Sequence, residues 1–144
     1  MTIGAARRVP NGVVQAIDIW WAEDLTDNDV DGLRNNMDAS GLAGCVQIHA
    51  MDARAMTFAN DSIDVIVSLL CLHNIEDAKD RQSACREIPR VLKHRGVSYI
   101  ADYTATRSYA DAFRTQDLLV TGPINAIPVT LSLMFMVEAR KSRA

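Results

Sequence analysis

Hydrophobic and polar positions along the chain fall into two kinds of segment. Short runs of β-branched and aliphatic residues predict strands, whereas longer segments with apolar residues at every third or fourth position predict helices. The strands are predicted over residues 13–19, 46–49, 63–70 and 97–102. The helices are predicted over residues 29–41, 77–93 and 108–117, the first ending at Gly41 and the second stopped by Gly96. The tail, residues 118–138, is predicted to form two strands around a Gly122-Pro123 turn.

Strands that alternate with helices indicate an α/β fold with a mostly parallel sheet, and the two consecutive final strands indicate an antiparallel hairpin at one edge. Residues 63–70 are almost all apolar, without alternation, so this strand is predicted to be buried on both faces. The apolar stretch 124–137 is interrupted by Asn125 and Pro128, so it is predicted as buried strand rather than a membrane span. Pro89 lies inside the second helix, at a cost of about 3 kcal/mol unless the helix kinks.

Composition limits the class of protein. The 144 residues are 49% hydrophobic, and 15 basic against 18 acidic side chains give a net charge of −3. These values predict one globular domain over residues 1–144, with no basic stripe for nucleic acid and no membrane segment. No apolar leader follows Arg7 and Arg8, and three cysteines cannot pair completely, so a reducing cytoplasm is expected. The cysteines and histidines show no metal-ligand spacing, so no metal is predicted and the cysteines are interpreted as ordinary buried thiols.

Polar groups follow three of the predicted strands at their carboxyl ends. Asp18 ends the first strand, Asp52 follows the second, and residues 68–74 close the third. Ligands of open α/β sheets bind beyond these ends. The pattern therefore predicts a ligand site there, formed by loops from several strands.

Four motifs occur in an order that resembles the class I S-adenosylmethionine-dependent methyltransferases, in the group of type-11 and type-25 domains. They are AIDIW at 16–20, MDARAMTF at 51–58, DSIDVIVSLLCLHNI at 61–75 and REIPRVLKHRG at 86–96. The resemblance implies a Rossmann-like sheet with helices on both faces. It also implies S-adenosylmethionine as cofactor and methyl transfer to a small-molecule acceptor.

The resemblance assigns cofactor contacts to five residues. Asp18, followed by Ile19, would accept the ribose hydroxyls. Asp52 would accept from the adenine amino group, with the Ala53 N–H near the ring, and Leu70 would lie beside the sulfonium. The alternative for both aspartates is a residue that caps a local turn.

His73, beside the same motif, is the candidate general base, because an imidazole titrates near neutral pH. The alternative is a hydrogen-bonded loop histidine. Asp102 and Tyr103 end the predicted strand at 97–102 and could face a substrate, but a plain strand terminus is the preferred interpretation.

Two further groups near the first strand allow a functional and a structural interpretation. Trp20 or Trp21 could flank the adenine, but at least one is expected to serve packing. The acidic run lacks the spacing and glycine of a calcium loop, so it is interpreted as the solvated start of a helix. Its members are Glu23, Asp24, Asp27, Asp29 and Asp31.

One departure from the family pattern is the absence of any G-x-G sequence in the chain. The glycine loop, which would hold the amino-acid part of the cofactor, and the strand before it are therefore predicted to be missing, as in a chain truncated at its N-terminus. Strands 13–19 and 63–70 would then have unpaired edges, which could close up, stay exposed or join copies of the chain as a homo-oligomer.

Two functions remain open from the sequence. The first is a methyltransferase, and the second is a catalytically inactive fragment or binding module. A flavodoxin-like or dinucleotide-binding domain is disfavoured, because neither a phosphate-binding glycine loop nor a Walker sequence is present.

Overall fold

A computed structural model describes residues 1–21, 29–126 and 133–142. The helices are α1 (Thr2–Ala6), α2 (Val30–Ala39), α3 (Ala78–Val91) and α4 (Thr106–Arg114). The strands are β1 (Val14–Asp18), β2 (Val46–Ala50), β3 (Ile63–Leu69), β4 (Leu92–Asp102), β5 (Leu118–Asn125) and β6 (Phe135–Lys141). The chain divides into two compact units, Met1–Asp52 and Ala53–Ala144. In the described part of the chain, no helix is long and apolar enough to cross a membrane.

The first unit is a pair of parallel strands with two helices. β1 and β2 are in register from the Val14 and Val46 pair to the Asp18 and Ala50 pair. A small core of Ala6, Met37 and Val46 joins the helices to these strands. The N-terminus of α2 is capped by the Asp29 carboxylate, which accepts from the Gly32 N–H at 2.7 Å.

The second unit contains a four-stranded sheet in the order β3-β4-β6-β5. β3 and β4 are parallel, whereas β6 is antiparallel to both β4 and β5. Alternate residues of the sheet, such as Ile100 and Val137, are buried with the inner faces of α3 and α4. The largest buried side chains of the helices are Tyr109, Phe113 and Ile88. The α/β prediction, with parallel pairs and a final antiparallel hairpin, is thus confirmed.

The predicted turn at Gly122-Pro123 is wrong. Strand β5 continues through both residues to Asn125, with a register shift between Thr121 and Ile124. Gly122 has a φ of +109°, and a Cβ there would lie 2.5 Å from the Met136 carbonyl oxygen. A glycine is therefore needed for the close approach of β6, not for a chain reversal.

The continuous buried strand predicted over 124–137 is also wrong. β5 ends at Asn125 and β6 begins at Phe135. Residues 127–132, which include Pro128, lie outside the described residues.

Strand β3 is not buried on both faces as predicted. Val65, Val67 and Leu69 are 53%, 47% and 43% exposed, whereas Ile66 packs against the core of the second unit. The physical reason is that, in the second unit, α3 and α4 pack on the face of the sheet that holds Ile66 and not on the face that holds Val65 and Val67. An unbroken apolar run is therefore not sufficient to predict that a strand is buried on both faces.

Gly96 does not stop α3, because β4 begins at Leu92, directly after the helix. Gly96 lies buried inside β4, where a Cβ would stand 2.8 Å from the Lys93 carbonyl oxygen and 2.9 Å from that of Asp64. The glycine thus serves a close approach of β3 and β4, next to the register shift between Ile63 and Val65.

The missing hydrogen bond at Pro89 is replaced by a side chain. Proline has no N–H, so the carbonyl of Cys85, four residues earlier, cannot accept the usual helical bond. The side-chain amide of Gln116 donates to that carbonyl at 3.0 Å and also to the Ala112 carbonyl at 3.0 Å. Gln116 therefore satisfies the buried acceptor that the proline leaves in α3.

We expect Gln116→Ala to lower the free energy of unfolding by about 1–2 kcal/mol, because it leaves the Cys85 carbonyl without its donor. In a Pro89→Ala background the backbone N–H of residue 89 can make that bond, so the cost of Gln116→Ala should fall by at least about half. Urea unfolding of the four proteins measures the difference. The exposed Gln82→Ala on α3 is the control, with a change of about 0.5 kcal/mol or less. If Gln116→Ala lowers the free energy of unfolding equally in both backgrounds, Gln116 does not replace the helical hydrogen bond that Pro89 removes.

Candidate functional site

The carboxyl ends of β1 and β2 meet at one edge of the first unit. Asp18 is the last residue of β1 and pairs with Ala50, the last residue of β2. The Met51 N–H extends this pairing by donating to the Asp18 carbonyl at 2.9 Å. Asp18 and Asp52 therefore lie at the same strand edge, as parallel strands require.

The Asp18 side chain makes the turn contact that was the alternative to a functional role. Its Oδ1 accepts from the Trp20 N–H at 2.8 Å. Trp20 has a φ of +54°, a left-handed conformation that this contact supports. The contact uses one carboxylate oxygen and leaves Oδ2 for other donors.

Trp20 contributes a second polar group at this edge. Its indole Nε1 is buried, and no described residue accepts a hydrogen bond from it. Trp20 is partly buried, whereas Trp21 is 56% exposed and Ile19 is 55% exposed. The free Asp18 carboxylate oxygen can therefore accept from a polar ligand at this edge, whereas the indole N–H is enclosed.

The segment that follows Asp52 is anchored to α3. The Met56 N–H donates to Glu87 Oε2 at 2.7 Å, and Arg90 donates to the carbonyls of Met56 and Phe58 at 2.7 and 2.8 Å. Glu87 and Arg90 also pair with each other at 2.7 Å. Glu87 and Arg90 therefore hold Met56 and Phe58 in place within the second unit.

Glu87→Gln tests this anchor through its pH dependence. The hydrogen bond from Arg90 lowers the pKa of Glu87 against the opposing effect of burial, and the Met56 N–H lowers it further. Because the folded pKa is lowered, the stabilisation is fully present above the ordinary pKa of a glutamate and is lost as pH falls through the lowered value. At pH 7 we expect Glu87→Gln to cost about 1–2 kcal/mol, and the difference from the wild type should vanish in acid.

Urea unfolding from pH 7 down to pH 3 measures both effects. The control is Asp111→Asn, which removes an exposed pair with Arg114 and should cost about 0.5 kcal/mol or less at any pH. A pH-independent cost at Glu87 would mean that lost packing, not lost charge, explains the change.

At the carboxyl end of β3, the chain turns sharply and presents His73. The Leu70 N–H donates to the Ala101 carbonyl at 2.9 Å, which extends the pairing of β3 and β4. Leu70 has a φ of +50°, and Leu72 is 2% exposed in the 3₁₀ turn Leu72–Asn74. The buried Leu72 thus anchors the turn, and Leu70, 41% exposed, lies at the edge.

Asp102 is the centre of the hydrogen bonds at this edge. Its carboxylate is fully buried at the end of β4 and accepts from the backbone N–H groups of His73, at 3.1 Å, and Tyr103, at 2.9 Å. His73 Nδ1 lies 2.8 Å from Asp102 Oδ1, without the alignment of a hydrogen bond. The attraction between ring and carboxylate is therefore mainly electrostatic and is strongest when the imidazole is protonated.

Two tyrosines complete the surroundings of this pair. The Tyr103 ring lies 4.3 Å from the His73 ring at a tilt of 53°, and its side of the site is open, since Tyr103 is 53% exposed. Tyr109 is buried and its hydroxyl lies 3.5 Å from Asp102 Oδ2. Burial, together with the neighbouring Asp102 carboxylate, raises the pKa of Tyr109, so this hydroxyl remains a donor.

Left-handed backbone conformations recur at the strand ends that carry these groups. Trp20 follows β1, Leu70 follows β3, and Ala105, which follows β4, has a φ of +58°. Such conformations in residues other than glycine are costly and persist where the surrounding structure enforces them. One sharp turn thus follows β1 in the first unit, and two follow β3 and β4 in the second unit.

The remaining candidates have structural roles or lie elsewhere. Asp29 caps α2 and Asp31 pairs with Arg34 at 2.8 Å, as expected for a helix start, whereas Glu23, Asp24 and Asp27 lie outside the described residues. Within the described ranges, no group of three or more His, Cys, Asp or Glu side chains could hold a metal ion.

The cysteines differ from one another. Burial raises the pKa of Cys85 to about 11, as expected for an inert thiol. Cys45 is partly buried, and Cys71 is exposed, so the expectation of a buried thiol was wrong there. Cys71 lies in the turn after β3, at a strand end rather than inside the core.

The predicted site residues form two groups. Asp18, Ile19 and Asp52 lie at the edge of the first unit, whereas Leu70 and His73 lie at the edge of the second. Ala53 packs against the core of the second unit. Sequence reasoning missed Asp102 as the group that holds His73, although an acidic residue ending an apolar strand was the available signal.

The chain is similar to a methyltransferase family model and to solved methyltransferase structures. A family model described as "Methyltransferase domain" matches residues 13–100. Among solved structures, an O-methyltransferase family protein from Burkholderia thailandensis is 17% identical with a TM-score of 0.75, covering 99% of this chain and 47% of that one. The chain thus spans about half of the Burkholderia protein.

Two other solved structures are similar over most of their length. A SAM-dependent methyltransferase from Aquifex aeolicus is 16% identical with a TM-score of 0.71, covering 96% of this chain and 77% of that one. The cyclase SpnF is 13% identical with a TM-score of 0.71, covering 99% of this chain and 72% of that one. Likenesses at this level of identity show the fold alone.

Proposed function

The chain belongs to the class I, type-11 methyltransferase domain family, and from that premise we propose that it transfers a methyl group from S-adenosylmethionine to a small-molecule acceptor. The observation that carries the proposal is that Asp18 and Asp52 lie at the same strand edge of the first unit, where the Met51 N–H donates to the Asp18 carbonyl. Family membership alone identifies neither the methyl acceptor nor the residues that contact the cofactor. The arrangement of residues at the strand ends supports the following cofactor contacts.

Asp18 is proposed to accept the ribose hydroxyls through its carboxylate, with Ile19 against the same part of the cofactor. The turn contact from Trp20 uses Oδ1 and leaves Oδ2 available. Asp52 is proposed to accept from the adenine amino group, with the Ala53 N–H near the ring. These roles combine charge-assisted acceptors with a partly buried aromatic surface.

Leu70 and His73 are proposed to serve the reacting end. When bound, the cofactor supplies an electrophilic methyl group on a sulfonium. The chain then has to align the acceptor and remove its proton where necessary. Leu70 offers an exposed apolar side chain beside the turn that carries His73.

Three expectations from the sequence belong to this proposal. A reducing cytoplasm accords with the odd cysteine count, and the single domain is retained as part of the proposal. Association of copies through strand edges accords with β3 lying at the edge of its sheet with Val65 and Val67 exposed. Analytical ultracentrifugation would detect such association as a concentration-dependent mass.

Calorimetric titration with S-adenosylmethionine tests the cofactor site. We expect micromolar binding by the wild type. Asp18→Ala should weaken it about 10- to 100-fold, because a carboxylate with two hydrogen bonds to a diol is lost. The absence of heat from the wild type at millimolar cofactor would contradict the proposal and leave a fold without the activity.

The matched control is Asp38→Ala, at an exposed position on α2 of the same unit. This change should leave the dissociation constant within about twofold. Circular dichroism of both variants separates lost binding from lost folding, since Asp18→Ala also removes the turn contact to Trp20. If both variants bind S-adenosylmethionine with equal affinity, Asp18 does not contact the cofactor.

A further inference from the structure

Strand β3 has a free edge in the part of the chain that the structure describes. It ends the sheet order β3-β4-β6-β5, and no described strand pairs with its other side. The Leu70 N–H, directly after β3, donates to the Ala101 carbonyl of β4 at 2.9 Å. Backbone groups point alternately to the two sides of a strand, so Val65, Val67 and Leu69 turn their N–H and C=O groups to the free edge. Such a row of unpaired groups is a template for another strand.

The features that usually prevent strand addition are few in β3. The strand contains no proline, and Asp64 is its only charged residue. The Asp64 carboxylate is already paired with Lys93 of the same chain at 2.8 Å. Val65 and Val67 remain 53% and 47% exposed, so apolar side chains accompany the free backbone groups. An edge of this kind is expected to pair with another strand.

The other edges of the described sheets are less suited to pairing. β5, at the far end of the same sheet, contains Gly122 and Pro123 and a register shift beside them. Prolines and bulges are devices that block strand addition. β1 and β2 have five residues each, against seven in β3. β3 is therefore the edge at which an added strand fits best.

We propose that β3 pairs with β3 of a second copy of the chain, in antiparallel orientation about a twofold axis at Ile66. The pairing joins the two four-stranded sheets into one sheet across the dimer. This inference rests on the association of copies included in the proposed function. It adds the strand, its direction and the residues that meet.

The polarity of β3 is symmetrical about Ile66, which is what pairing with an identical strand requires. In an antiparallel pair about that residue, Val65 lies opposite the partner's Val67, and Asp64 lies opposite the partner's Ser68. An apolar side chain thus meets an apolar one, and a carboxylate meets a residue with a hydroxyl instead of a second carboxylate. A second copy is therefore a complementary occupant of this edge.

The backbone of β3 favours the same register. Val65 and the partner's Val67 both turn their N–H and C=O groups outward, so they can exchange two hydrogen bonds. A shift by one residue would set outward groups against inward ones and lose these bonds. A shift by two residues would set the Asp64 carboxylate against the partner's Ile66 or the partner's Leu70. The register about Ile66 avoids both penalties.

The expected dimer is weak. Stable protein interfaces bury about 1,200–2,000 Å² of surface in total, and a single pair of short strands lies at or below the lower limit. Main-chain hydrogen bonds nevertheless give affinity when a strand is added to a sheet edge. We therefore expect a dimer that dissociates in the micromolar range.

Sedimentation equilibrium of the full chain, without cofactor, tests the dimer. We expect one step from monomer to dimer, with a dissociation constant of about 1–100 μM. Val65→Lys and Val67→Glu, each made alone, should weaken the dimer about 10-fold or more, because each sets a charge against a valine of the partner. The control is Leu119→Lys, at an exposed apolar position of β5, which should change the constant by about twofold or less.

A mixture of the two weakened variants tests the register. In a heterodimer about Ile66, the lysine introduced at position 65 lies opposite the glutamate introduced at position 67 of the other chain, and their charges attract. The mixture should therefore dimerise within about threefold of the wild type, although neither variant does so alone. The reversed pair, Val65→Glu with Val67→Lys, repeats the test, and circular dichroism confirms that each variant is folded.

The inference is overturned by a wild type that stays monomeric at about 1 mM, by single variants that dimerise as the wild type does, or by a mixture that dimerises no better than its components. The first of these results needs no variant, so it decides the matter even where a substitution prevents folding. Growth beyond the dimer would overturn the twofold axis, because a closed pair leaves no β3 edge free.

The calorimetric titration separates this inference from methyl transfer. If the copies pair as described but no S-adenosylmethionine binds, the proposed reaction fails and the dimer stands. If the chain binds S-adenosylmethionine and remains a monomer, the cofactor site stands and the pairing of β3 fails.

Discussion

A buried carboxylate at the end of β4 organises the candidate catalytic edge of the second unit. Removing an ionised group from water is costly unless donors replace the water, so Asp102 requires partners from the chain. They come from the turn after β3, from the residue after β4 and from α4: the N–H groups of His73 and Tyr103 and the hydroxyl of Tyr109. One charge therefore ties together the elements that a functional loop cluster needs to hold rigidly.

Helix α3 is the second organising element of this unit. It tolerates a proline in its interior because a side chain replaces the lost hydrogen bond. Pro89 removes a helical hydrogen bond, and the Gln116 amide supplies a replacement donor to the Cys85 carbonyl. Close to that point, Glu87 and Arg90 bind the backbone of Met56 and Phe58. The motif REIPR therefore has two structural consequences, one for the helix itself and one for the segment that follows Asp52.

Much of the fold could be predicted from the sequence, because hydrophobic periodicity depends on local geometry. The strands β1, β2 and β3 and the helices α2 and α3 lie within a few residues of their predicted bounds. Gly41 ends α2 with a φ of +67°, as predicted for a glycine after a helix. The errors at Gly96 and Gly122 share one cause. Both glycines permit a close approach of a neighbouring strand, at Asp64 and at Met136, which only the sheet brings near.

The sequence by itself determined the family, the α/β class and the positions of Asp18, Asp52 and His73 at strand ends, because motif order and periodicity are properties of the chain. Only the tertiary structure decided which groups face one another: Asp102 beside His73, Gln116 on the carbonyl left by Pro89, and one exposed side of β3. The reason is physical, since a hydrogen bond, a desolvated charge or an edge strand is defined by neighbours that are distant in sequence.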